Sequence, residues 1–149
     1  VNKVREGGFL ISKIKQISGR IFDKKLKDCD ICDLNAAQGR IIFSLWQRDQ
    51  IPIQELSRLT ALGKTTLTAM LRRLEDTGHI TRWTDGKDKR KTVVSLTQKS
   101  MDLKEKYNAV SQEMLAMFYR GLSEDQIDAF EETLRHVLFN LMQYEEENK

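Results

Sequence analysis

Three groups of residues in this chain have types and spacing suited to chemistry. The first lies in a helical run: Lys64, Thr65, Thr66, Thr68, Ala69, Arg72 and Arg73. Short hydroxyl side chains and a methyl group can meet base edges in a major groove, and neighbouring cations can reach guanine or phosphate. Lys64 opens the run, where exposed helix amides also attract phosphate. The second group is a loop tip, Lys87, Asp88, Lys89, Arg90 and Lys91. A guanidinium such as that of Arg90 suits a narrow minor groove, where the potential is most negative. Asp88, two residues earlier, can hold that arginine extended. The third group is the pair Cys29 and Cys32, spaced like redox and metal motifs.

Each group also has a plainer reading. The threonine-rich run fits an ordinary amphipathic helix with a solvated cationic face. Asp85 and Asp88 fit ordinary turn formers. Three aspartates, Asp28, Asp30 and Asp33, flank the cysteines, and nearby negative charge disfavours a reactive thiolate. A zinc site needs further thiol or imidazole ligands, and the only histidines are His79 and His136, far apart in sequence. Ordinary reduced thiols are therefore favoured over a redox switch, and a redox switch over a metal site. Gly7-Gly8 and Gly19 lack the surroundings of a phosphate-binding loop. No enzyme is indicated and no cofactor is expected.

The elements around the loop tip sharpen the polyanion reading. His79-Ile80-Thr81-Arg82-Trp83-Thr84 and Thr92-Val93-Val94-Ser95-Leu96 alternate apolar with polar residues, as half-buried strands do. Such a hairpin is too small to stand alone. Before it, Pro52 favours a helix start, predicting a short helix over about 53–59. Thr60-Ala61-Leu62-Gly63 reads as a tight turn. The following helix runs from Lys64 to about Thr77, with Leu67, Met70, Leu71 and Leu74 inward and Gly78 closing it. A helix–turn–helix followed by a cationic hairpin is the arrangement of a winged DNA-binding domain.

The flanks are helical as well. Leu10, Ile14, Ile17, Ile21 and Phe22 form a stripe over about 8–27. Asn35 and Gln38 have capping-box spacing, followed by Ile41, Ile42, Leu45 and Trp46, and Gln47–Pro52 reads as a connection. A long helix is expected over about 97–120, stopped by Gly121. Ser123 and Gln126 form a second capping box before a helix whose stripe runs from Ile127 to Tyr144. These ends carry more apolar surface than a winged domain can cover. Phe9, Leu10, Phe118, Leu138, Leu141 and Tyr144 are candidates for a self-association face, though packing within one chain is comparably open for each. The fold class is mostly α with a small β-hairpin wing. Residues 35–97 form the winged helix–turn–helix, and 1–34 with 98–149 form a helical dimerisation region.

Charge is segregated along the chain. Residues 54–99 carry ten Lys/Arg against five Asp/Glu, whereas 122–149 carry two against eight. A basic middle suits double-stranded nucleic acid and an acidic end repels it. A winged module that binds only protein would show few cations at Arg72, Arg73, Lys87, Lys89, Arg90 and Lys91. With 40% apolar and 32% charged residues, no run approaches the ~18 apolar residues of a membrane span. The first residues lack the apolar core of a signal peptide, so the expected location is the cytoplasm, with no membrane partner.

In its motif order the chain resembles the MarR (multiple antibiotic resistance regulator) family. The residues that carry this are Glu55-Leu56, a turn, Lys64-Thr65-Thr66-Leu67-Thr68, Leu74-Glu75-Asp76-Thr77-Gly78, Asp88-Lys89-Arg90 and Val94-Ser95-Leu96-Thr97. The resemblance extends over nearly the whole chain. It implies a winged helix–turn–helix joined to a helical dimerisation domain in a homodimeric transcriptional regulator. It also implies repression relieved by a small aromatic or anionic effector or by thiol oxidation, with an effector pocket between the dimerisation helices and the winged domain. Gly63 departs from the pattern, since members often carry a Ser-like helix cap there; glycine is an acceptable cap.

Overall fold

The computed structural model describes residues 2–84, 86–87 and 91–149. They fall into two compact units, residues 1–111 and 112–149. In the first, α1 (Gly7–Asp28) and α2 (Ala36–Gln47) precede a short strand, β1 (Ile51–Pro52). Then come α3 (Ile53–Thr60), α4 (Lys64–Asp76), β2 (Ile80–Thr84), β3 (Thr92–Leu96) and the larger part of α5 (Gln98–Phe118). The second unit holds the end of α5 and α6 (Glu124–Glu147).

Local chemistry sets the helix starts. The Asn35 side chain accepts from the Gln38 amide at 2.8 Å, and the Gln38 side chain accepts from the Asn35 amide at 3.1 Å. Ser123 and Gln126 repeat this reciprocal cap at 3.2 and 2.9 Å. Each cap satisfies two amides that a helix start leaves bare. The α2 start is also tied to α1, because the Ala36 amide donates to Asp23 Oδ1 at 2.6 Å.

Leu26, Ile41, Ile42, Leu45, Leu56, Leu67, Leu71, Leu74, Ile80 and Val94 are buried together as the core of the first unit. Tyr107 of α5 lies edge-on to Phe22 of α1 and Trp46 of α2, with ring centroids 5.4 and 5.0 Å away. Its ring occupies the space over Gly39, where an added Cβ would stand 2.5 Å from the phenol oxygen. Burial pushes the Tyr107 hydroxyl up to about 12. Gly78, at the exit of α4, takes a left-handed conformation with φ +80°.

One expectation needs correction. The wing sheet has three strands in the order β1-β3-β2, all antiparallel, because Ile51–Pro52 pairs with Val94–Val93 rather than forming an irregular connection. A central β3 flanked on both sides explains why Val93 and Val94 are both buried despite pointing to opposite faces. The α1 stripe is largely uncovered. Leu26 is the one fully buried α1 residue, while Leu10, Ile14 and Ile17 remain exposed.

In the second unit, α6 buries none of its residues. Phe118, Tyr119 and Phe130 form an aromatic cluster, with Phe118 and Tyr119 edge-on at 4.9 Å. The Tyr119 hydroxyl donates to Glu131 at 2.6 Å, which with burial pushes its pKa up to about 12. Val137, Leu138, Phe139, Leu141, Met142 and Tyr144 are exposed. Among the described residues no helix is long and apolar enough to cross a membrane.

Candidate nucleic-acid interface

The turn between α3 and α4 fixes the helix that carries the threonines. Ser57 donates to the Leu62 carbonyl at 2.7 Å, and Thr60 donates to the Leu56 carbonyl at 2.8 Å. Ala61 takes a left-handed conformation, φ 58°, a local cost of about 1–2 kcal/mol that the two hydroxyl bonds help to offset. Gly63 then leads into α4 with extended backbone and no side-chain cap. The first amides of α4 are thus left without a side-chain partner from the cap position, the usual state of a helix start that meets phosphate.

Leu67, Leu71 and Leu74 bury one side of α4 completely. At 3.6 residues per turn the opposite side is centred on Thr65, Ala69 and Arg72, with Arg73 beside them. Lys64, Thr65, Thr66, Ala69, Arg72 and Arg73 are all exposed, while Thr68 is half-buried. Six of the seven residues expected on this helix are therefore open to a ligand, and Thr68 stands at the edge of the face. The middle of that face is small and polar at one end and cationic one turn later. Such a surface can approach a groove floor closely and still place charge over phosphates.

The wing is attached to α4 by an ion pair that the sequence reading did not single out. Arg82 of β2 donates to both carboxylate oxygens of Glu75, at 2.9 and 3.3 Å. The pair holds Glu75 below its ordinary carboxylate range and raises Arg82. The signal was the order Glu75-(six residues)-Arg82 across a helix stop, which spacing alone does not tie together. On the other sheet face, the half-exposed Trp83 stands opposite Val93 and donates its indole N–H to Ser95 Oγ at 3.0 Å. Lys87 and Lys91 are exposed near the tip. Asp88, Lys89 and Arg90, with Asp85, lie outside the described residues.

Cys29 is half-buried at the end of α1 and Cys32 is exposed, both as free thiols. Among the described residues no group of three or more His, Cys, Asp or Glu is placed to hold a metal ion. His79 stands immediately before β2, at the start of the wing as expected, and is wholly buried. Its Nδ1 lies 3.3 Å from Ser100 Oγ.

A helix–turn–helix whose second helix offers a polar, cationic face, followed by a three-stranded wing, is the fold of a winged DNA-binding regulator. The sequence profile of the MarR family matches residues 34–92. Two similar proteins are the HTH-type transcriptional regulator SarZ of Staphylococcus haemolyticus and the multiple antibiotic resistance protein MarR of Escherichia coli. SarZ is 29% identical over 75% of this chain and 75% of its own length. MarR is 28% identical over 92% of this chain and 94% of its own length. A crystal structure of a MarR mutant from Escherichia coli complexed with operator DNA superposes with a TM-score of 0.78. It is 28% identical and covers 88% of this chain and 92% of that one. By this match and these likenesses the chain resembles the MarR family of transcriptional regulators.

Proposed function

We propose that this protein is a cytoplasmic repressor that binds pseudo-palindromic double-stranded operators as a homodimer and is released by a small aromatic or anionic effector. The observation that carries the DNA reading is the α4 surface, where Thr65, Ala69 and Arg72 lie on the side away from Leu67, Leu71 and Leu74. In this reading α4 enters the major groove, with Lys64, Thr65, Thr66, Thr68 and Ala69 near base edges and Arg72 and Arg73 near guanine or phosphate. The tip, Lys87 to Lys91 with Arg90 foremost, reaches the adjoining minor groove. The operator-bound relative of the same fold supports this assignment.

The dimer reading rests on exposed apolar surface in each unit. Phe9, Leu10, Ile11, Ile14 and Ile17 are uncovered in the first, and Leu138, Leu141 and Tyr144 in the second. Monomers seldom leave so much aliphatic and aromatic surface in water. Residues 1–34 and 98–149 are accordingly assigned to dimerisation and 35–97 to DNA. A small-molecule effector is favoured over oxidation because Cys29 is half-buried and the pair lies among Asp28, Asp30 and Asp33.

Selection from a pool of randomised duplexes tests the reading. It should enrich an inverted repeat with half-sites ~10 base pairs apart centre to centre. Recovery of no common sequence, or of a single unrepeated half-site, would refute it.

A further inference from the structure

The C-terminal end of α4 is plugged into the first turn of α5. Three successive carbonyls leave α4, those of Thr77, Gly78 and His79, and α5 holds all of them. Lys99 Nζ donates to the Thr77 carbonyl at 2.7 Å, and Thr97 Oγ1 to the Gly78 carbonyl at 2.6 Å. Ser100 Oγ donates to the His79 carbonyl at 2.6 Å, which the Thr97 amide and hydroxyl also approach at 3.1 Å. Trp46 of α2 donates to the Ser100 carbonyl at 3.2 Å. Lys99 reaches a further segment as well, bonding Asp33 Oδ2 in the α1–α2 loop at 2.6 Å. One lysine thus straps the exit of α4, α5 and the α1–α2 loop together.

The buried imidazole of His79 sits inside this joint. Ser100 has one hydroxyl hydrogen, and the His79 carbonyl takes it, because a carbonyl can only accept. The tautomer that keeps both Ser100 contacts has the Ser100 hydrogen on the His79 carbonyl and the ring proton on Nδ1. Nε2 is then a bare lone pair. It lies 3.1 Å from Asp33 Oδ2, within hydrogen-bonding reach, and is wholly buried, with no well-aligned hydrogen bond among the described residues. Two acceptors face each other across a gap that one proton would bridge. The oxygen that would share this proton is the one on which Lys99 is anchored.

We propose that His79 is a proton-sensitive positioning residue for DNA binding, whose protonation draws Asp33 Oδ2 away from Lys99 and unhooks α1 from the α4–α5 corner. The proposal rests on the DNA-binding reading above. A proton from solvent adds to Nε2, no covalent bond breaks, and Asp33 exchanges an ammonium partner for an imidazolium. The charged groups facing the ring are Asp33 from the α1–α2 loop and Lys99 from α5. Burial is the largest influence and opposes the charged ring, Lys99 adds to it, and Asp33 favours the charge, with a lowered His79 as the result. Burial raises Asp33, but its bond from Lys99 and the charge of His79 outweigh that and leave it lowered. Sign follows directly. A lowered imidazole keeps its full contribution above the unfolded value of 6.5 and loses it as pH falls toward its folded value. Because α1 carries apolar surface assigned to dimerisation, loosening it against α4 alters how two recognition helices are spaced.

The chain has two histidines, so imidazole NMR resolves His79 once His136→Gln removes the other signal. With that protein, the His79 resonance should titrate reversibly below the free-imidazole range. Affinity for the selected duplex at constant ionic strength should fall with the same midpoint, by up to about tenfold per pH unit for one linked proton. Lys99→Met should move the His79 midpoint up and Asp33→Asn should move it down, and in both variants affinity should no longer follow that midpoint, because the Lys99–Asp33 bond that carries the coupling is already gone. An imidazole that stays neutral until the fold melts overturns the proposal. In the His136→Gln protein, an affinity curve that ignores the His79 midpoint overturns the coupling. Absence of binding to any duplex at about pH 8 overturns the DNA reading and the coupling with it.

Discussion

Helices α4 and α6 are both amphipathic, yet they treat their apolar residues in opposite ways. In α4, Leu67, Leu71 and Leu74 are each 0% exposed, and its polar side faces solvent. In α6, Leu138 is 51% and Leu141 62% exposed, and no residue of the helix is buried. The first is a finished face, closed against β2, α3 and their neighbours in one core. The second is an apolar face left exposed. The contrast separates what folding of one chain must accomplish from what association of two can supply, and it leaves the polar side of α4 as the part free to meet a different ligand.

Equivalent truncations on the two faces break this comparison most sharply. Leu71→Ala should destabilise the protein by about 2–5 kcal/mol, because it removes packed methyl groups and leaves a cavity. Leu138→Ala should change the stability of the dilute monomer by less than about 0.5 kcal/mol, as expected for an exposed side chain. Urea unfolding at two protein concentrations checks both. A large, concentration-independent loss for Leu138→Ala would mean that its face is already covered within the chain.

Gly39→Ala sharpens the finished side. The added methyl must displace the Tyr107 ring, which is a rigid group pinned by Phe22 and Trp46 rather than a mobile side-chain end. A loss of about 1–3 kcal/mol is expected from such overpacking. It should be accompanied by a lowering of the Tyr107 ionisation from about 12, read by ultraviolet absorbance in alkali. A smaller effect than that of Gly39→Ala should come from Arg82→Gln. Its pair with Glu75 is partly solvated, so thermal unfolding should report no more than about 1 kcal/mol, while binding to the selected duplex weakens because the wing is no longer clamped to α4.

Much of this was legible in residue order. The capping pairs Asn35/Gln38 and Ser123/Gln126 mark their helix starts because the reciprocal bond needs only a local spacing. The strand Thr92–Leu96 and the helix beginning at Lys64 follow from period and punctuation alone. Other features depend on partners distant in sequence. Ile51–Pro52 is too short to show a period, and it becomes a strand only because β3 offers it an edge. The exposure of Leu10, Ile14 and Ile17 was hidden for a related reason, since a stripe states which face is apolar but not what covers it. The candidate DNA residues on α4 were readable as a set, though the half-buried placement of Thr68 depends on how α4 is rotated in the core. The joint at His79 was not readable, because Asp33, His79 and Ser100 come from three segments and their types are ordinary at each position.

The central claim is that α4 reads base edges, and a panel of single-base variants of the selected duplex tests it most directly. Wild type should discriminate at positions within each half-site. The double variant Thr65→Ala, Thr66→Ala should lose about 1–3 kcal/mol of that discrimination at one or two positions, while keeping its dependence on salt, which comes from phosphate contacts. A uniform loss of affinity across the whole panel, with discrimination unchanged at every position, would contradict the account.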